Sequence, residues 1–226
     1  MPGRTRTKLR DRQMPTYTKG EERFNMISHI VGGAIGVAAL VLGIVVSAIH
    51  RNGYGLAGSI VYGISMIVLY TMSSVYHGLR EGMAKRVMQV LDHCTIYLLI
   101  AGTYTPILLS AMRPIDPRTS WALFGVVWAL AALGITLTAI DLKKYAVFSM
   151  ICYLGIGWCI VFKIGLLIQA VGWGGFWLIL MGGVCYTVGA VLYGMGRTRK
   201  YMHSVFHLFV VAGSVMHLLA ILLYAL

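Results

Sequence analysis

The chain has 226 residues, of which 58% are hydrophobic and only 12% charged, and its mean hydropathy is +0.79. A soluble domain carries roughly twice that charged fraction, so the composition excludes one and points to a chain embedded in lipid. The net charge of +12 would suit nucleic acid, but seven of the 19 Lys and Arg fall in the first 23 residues and most others in short stretches between apolar runs, a pattern that orients a membrane protein and argues against nucleic-acid binding.

Residues 1–23 are basic and polar, with Arg4, Arg6, Lys8, Arg10, Arg12, Lys19 and Arg23, and read as a flexible arm held near anionic lipid by charge. The apolar run 26–49 that follows is too long for a signal-peptide core and is the first predicted span. Further spans are predicted over 55–76, 90–112 and 121–140. Pro106 interrupts the third and is expected to kink it. Residues 145–195 are apolar throughout and long enough for two spans, with the break expected at the glycines and interfacial tryptophan of 172–175. The last span is 202–226, so residues 24–226 are expected to form one all-α domain, a seven-transmembrane helix bundle. Intraspan glycines such as Gly32 and Gly36, or Gly182, Gly183 and Gly189, read as close-approach points between helices. The four cysteines lie in apolar runs without a Cys-x-x-Cys pair and read as small buried hydrophobes.

If the N-terminus is cytoplasmic, fifteen of the 19 basic residues lie on that side and four (Arg51, Arg113, Arg118 and Lys163) on the other. The expectation is therefore N-terminus inside and C-terminus outside. That topology gathers polar residues far apart in sequence. His77 falls at the cytoplasmic end of the second span with Ser73 one turn before it, Asp92 and His93 near the start of the third, and His203 and His207 in the first turns of the seventh. An i, i+4 pair shares one helix face, so His203 and His207 can share an ion. We read His77, His203 and His207 as ligands of one Zn2+ ion, because three imidazoles plus a water is the usual catalytic arrangement of that metal, which acidifies the water towards neutral pH. Asp92 would accept the proton and Ser73 would orient the water or polarise a carbonyl. His93 faces away from Asp92 by about 100°, His29 reads as an outer partner of the site or an interfacial residue, His50 as solvated on the opposite surface, and His217 as bonding a neighbouring helix or facing a lipid-chain cavity.

The blocks Ser73-Ser-Val-Tyr-His77, Leu91-Asp-His-Cys-Thr-Ile-Tyr97 running into Ala101-Gly-Thr-Tyr-Thr-Pro106, and His203-Ser-Val-Phe-His207 resemble the signatures of the bacterial hemolysin III family, within the progestin and adiponectin receptor superfamily. The resemblance covers nearly the whole chain. It implies seven helices in a bacterial cell (inner) membrane, a cytosolic-side zinc on the positions of His77, His203 and His207, a water linked to Asp92, and Ser73 lining the site. Similar sets occur in alkaline ceramidases, which hydrolyse lipid amides, and other members are implicated in membrane lipid homeostasis.

Three readings follow: a zinc-dependent hydrolase of a membrane lipid amide or ester, a non-catalytic sensor of membrane state with a structural zinc, and a cytolysin as the family name implies. Cytolysis is disfavoured because the ionisable residues gather at one face instead of lining a path across. Haem would need a second histidine pair to complement His203 and His217, and retinal a lysine within the last span, which has none.

Overall fold

A computed structural model of the chain describes residues 7–196 and 198–226, so Arg4, Arg6 and Arg197 of the charge pattern lie outside the described residues. Those residues form helices and connecting turns without strands: α1 (Lys19–Ile49), α2 (Gly53–Gly78), α3 (Met83–Pro106), α4 (Pro117–Ile140), α5 (Ala146–Trp158), α6 (Ile164–Met195) and α7 (Met202–Ala220). Six continuous helical stretches are long and apolar enough to cross a membrane, because α5 and α6 join through a 3₁₀ segment, Cys159–Lys163, into one stretch of 50 residues.

That stretch is not straight. Trp158 Nε1 donates to Thr187 Oγ1 at 2.9 Å across 29 residues, a separation of about 43 Å along an unbroken helix. The chain therefore folds back between them, and Gly172 is the one residue inside α6 with non-helical torsions, φ 64° and ψ 176°. A left-handed φ favours a residue without a Cβ, which is why the reversal sits at this glycine, within the predicted 172–175 break.

Chain starts and stops follow local chemistry. Thr18 and Glu21 form a reciprocal capping box that starts α1 at Lys19, several residues before the hydropathy rises. Asn52 accepts from Gly55 N–H at 2.8 Å to open α2, and Asp116 accepts from Thr119 N–H at 3.0 Å ahead of Pro117 to open α4. Pro106 cannot donate to the preceding turn, and the helix continues beyond it in the wider π form over Ile107–Met112 instead of ending.

Helices approach closely where side chains are small. A Cβ on Gly32 would stand 2.5 Å from the Tyr70 ring, so α1 and α2 meet through that glycine. At the centre of the bundle, Tyr70 and Tyr186 hydroxyls lie 2.7 and 2.8 Å from Ser214 Oγ, tying α2 and α6 to α7. At the end opposite the N-terminus, Asn52 Nδ2 donates to Ser110 Oγ at 2.8 Å and His50 Nδ1 lies 3.0 Å from the Leu226 carbonyl oxygen, so the exposed His50 secures the chain terminus. The packing is uneven: α5 buries only Ser149 and Ile156.

The described part of the basic arm lies against the bundle. Leu9–Asp11 make a 3₁₀ turn, Arg12 is buried, and Thr7 N–H donates to Asp141 Oδ2 at 2.8 Å. Burial alone would raise the Asp141 carboxyl pKa, but N–H groups of Thr7, Lys144 and Lys143 donate to it and hold it below the usual carboxylate value.

Candidate metal centre

Three helix ends converge on the N-terminal face of the bundle. His77 sits in the last turn of α2, and His203 and His207 in the first turns of α7, all three buried. Tyr201 N–H donates to Glu21 Oε1 at 2.6 Å, which seats the start of α7 on the start of α1. The predicted i, i+4 pair does share one face. His203 Nε2 lies 3.1 Å from His207 Nε2 and 3.4 Å from His77 Nε2, and ligating nitrogens of all three lie within 4.8 Å of one another.

Proton arithmetic explains what such a cluster wants. The Nδ1–H of His77 donates to Glu22 Oε2 at 2.6 Å, which leaves its Nε2 as a bare acceptor facing the other two rings. Three inward Nε2 atoms cannot all hydrogen-bond one another, whereas a cation satisfies every lone pair at once. Two nitrogens on a tetrahedral zinc at 2.0–2.1 Å would stand about 3.3 Å apart, close to the two Nε2 separations found. The donor set therefore fits a metal ion held by His77, His203 and His207.

The surroundings fix the rings. Lys85 Nζ donates to Glu22 Oε1 at 2.7 Å and to the Leu79 carbonyl at 3.0 Å, so the carboxylate that orients His77 is itself clamped. His29 stacks on His207 with centroids 3.7 Å apart, and Tyr17, from the arm, stacks on His203 at 4.8 Å.

Beside the histidines is a cavity of about 760 Å³, within the range of small-molecule sites. Its wall includes His203, His207, Ser73 and Asp92, then continues along apolar residues of α3, α5 and α6 as far as His217. The structure thus brings Ser73 and Asp92 to the same chamber as His203 and His207. Asp92 Oδ2 lies 3.7 Å from His93 Nδ1, and Arg86, a conceivable partner for it, turns to the carbonyls of Leu9 and Arg12. His93 also lines the chamber and bonds Tyr193 at 3.1 Å, while His217 lies 3.0 Å from the Ile179 carbonyl and reaches the same cavity.

The haemolysin-III-related family model matches residues 17–218. The chain belongs to that family. It is 35% identical to Hemolysin-3 of Bacillus cereus over 214 residues, covering 95% of each chain, and 32% identical to the Hemolysin-3 homolog of Bacillus subtilis (strain 168) over 208 residues, covering 92% of this chain and 96% of the relative. The human monocyte to macrophage differentiation factor is 27% identical over 170 residues, covering 71% of this chain and 67% of its own.

Two residues that this haemolysin-III-related protein sets around the cluster escaped the sequence reading. Glu22 and Tyr17 both fall within the basic stretch 1–23, where hydropathy and charge give neither a distinguishing pattern. The Thr18-x-x-Glu21 pattern did carry a signal, since a capping box there puts Glu22 on a helix whose later turns include His29. Replacing Glu22 by Gln is expected to weaken metal binding about 10- to 100-fold, the usual cost of losing an oriented outer partner of a metal-binding histidine, and competition with a chromogenic chelator measures it.

Proposed function

We propose that this haemolysin-III-related protein crosses a bacterial cell membrane seven times, N-terminus in the cytoplasm and C-terminus outside, and that it is a zinc-dependent hydrolase of a membrane lipid amide or ester, acting in membrane lipid homeostasis. The fold-back at Gly172, inside α6, supports counting the stretch 146–195 as two spans, one on either side of that glycine, and the excess of Lys and Arg on the N-terminal side supports the orientation. The observation that carries the reaction class is that the cluster of three buried imidazoles borders, through His203 and His207, a largely apolar chamber that Asp92 and Ser73 also line.

Each residue has a task in that reading. His77, His203 and His207 hold the metal, and Glu22 keeps the His77 ring in the tautomer that presents Nε2. Zinc, when bound, supplies Lewis acidity and a water acidified towards neutral pH. Asp92 would accept a proton from the water that attacks the lipid carbonyl and return it to the departing amine or alcohol. Ser73 donates a hydrogen bond to the carbonyl oxygen as negative charge develops there. The apolar walls of α3, α5 and α6 hold the hydrocarbon tail and keep bulk water away.

The test is direct. Purified protein in detergent, offered a long-chain N-acyl amide lipid and the matching ester, is expected to release free fatty acid from at least one of them. Dipicolinate should stop the release and added zinc restore it. A protein that retains stoichiometric zinc yet releases fatty acid from neither class would replace hydrolysis with the structural-zinc reading.

A further inference from the structure

The segment Arg12–Tyr17 forms part of the wall of the same chamber, at the end where the histidines lie. Contacts at Thr7, at Leu9 and Arg12, and at Tyr17 tie it and the residues before it to the bundle. Thr7 N–H donates to Asp141 Oδ2 at 2.8 Å, Arg86 Nη1 donates to the carbonyls of Leu9 and Arg12, and the Tyr17 ring lies nearly parallel to His203, 20° from coplanar. Each of these contacts joins the segment to the bundle, and none joins one span to another.

We propose that residues 7–17 are a strap that closes the aqueous mouth of the chamber, with Tyr17 as its plug and Asp141 as its latch. Detachment of the strap opens a water-filled path to the Ser73 and Asp92 region, whereas the attached strap leaves the chamber closed on that side. The latch is built for reversible release. Asp141 Oδ1 accepts from the N–H groups of Lys143 and Lys144, both at 3.1 Å, and so shapes its own loop, while Oδ2 is left to grip the arm. One hydrogen bond to a charged acceptor is worth a tenfold or larger change in such an opening equilibrium. The strap regulates the site described above, but the physical claim concerns access alone and holds whether or not the site carries a metal.

The experiment reads access without reading metal or turnover. Ser73→Cys places a thiol on the chamber wall, and the native cysteines, which do not line it, serve as internal references. Modification of Cys at this position by a charged, membrane-impermeant thiosulfonate is followed by peptide mass. With the strap intact, labelling is expected to be slow. Tyr17→Ala in the same background should speed it about tenfold or more, and Tyr17→Phe, which keeps the ring, should not. Asp141→Asn should also speed it about tenfold, because the amide keeps one oxygen for the loop and presents a donor to Thr7 N–H. Equal rates in all four proteins, each eluting as a folded species with an unchanged melting temperature, would overturn the strap, as would fast labelling with the arm unaltered. Loss of zinc binding in some other variant would leave these rates where they are, so the two proposals fail separately.

Discussion

Alanine at His203 or at His207 is expected to empty the metal centre. Purified wild-type protein should carry close to one zinc per chain by elemental analysis, and each variant almost none. The reason is the geometry of the three Nε2 atoms: removing His203 takes away the ring that stands between the other two, 3.1 Å from one and 3.4 Å from the other. Two remaining imidazoles cannot complete a four-coordinate zinc site without solvent supplying half the ligands. The loss in affinity should exceed the roughly 100-fold that removal of an outer partner costs. Truncating a buried ring also risks a cavity, so His203→Gln, closer in size, is the companion variant and should lose metal equally. His50→Ala, at the exposed far end of α1, should keep it. Unchanged zinc in both alanine variants would remove the centre from the account.

Asp92→Asn is expected to separate binding from turnover. Asp92 lines the chamber without belonging to the cluster of converging nitrogens, so the variant should retain its zinc. The amide cannot take up a proton, and the release of fatty acid should fall by about 10²- to 10⁴-fold, the usual contribution of a positioned general base. A drop in zinc together with activity would make Asp92 part of the metal site, and wild-type turnover would rule it out as the base.

Much of the fold could be read from hydropathy and charge because lipid imposes length and satisfaction rules on every span. The reversal inside 146–195 was legible for a sharper reason: a glycine beside an interfacial tryptophan is where a φ of 64° costs least. The histidine cluster was legible because an i, i+4 pair fixes a face and the alternation of spans fixes which ends share a surface. Glu22 and Tyr17 were harder. Glu22 meets His77 across 55 residues, a pairing that no periodicity encodes. Apolar patterning placed the start of the first span at 26, whereas the capping box extends α1 back to Lys19 and carries Glu22 into the structure. Tyr17 lies in a polar stretch with no repeat of its own, and its position depends on contacts from α3, α7 and the loop after α4.

The order in which the ribosome delivers these residues sets when the centre can exist. His77 and His203 are 126 residues apart, so at about 5–20 residues per second roughly 6–25 s pass between making the first of these imidazoles and making the second. Until α7 emerges, His77 is the one member of the converging triad already made. Tyr17 precedes its stacking partner His203 in the chain and meets it only once α7 has been made. Under the proposed zinc reading, metal capture therefore waits for α7, and a nascent chain stalled before that helix is expected to carry no metal at this centre.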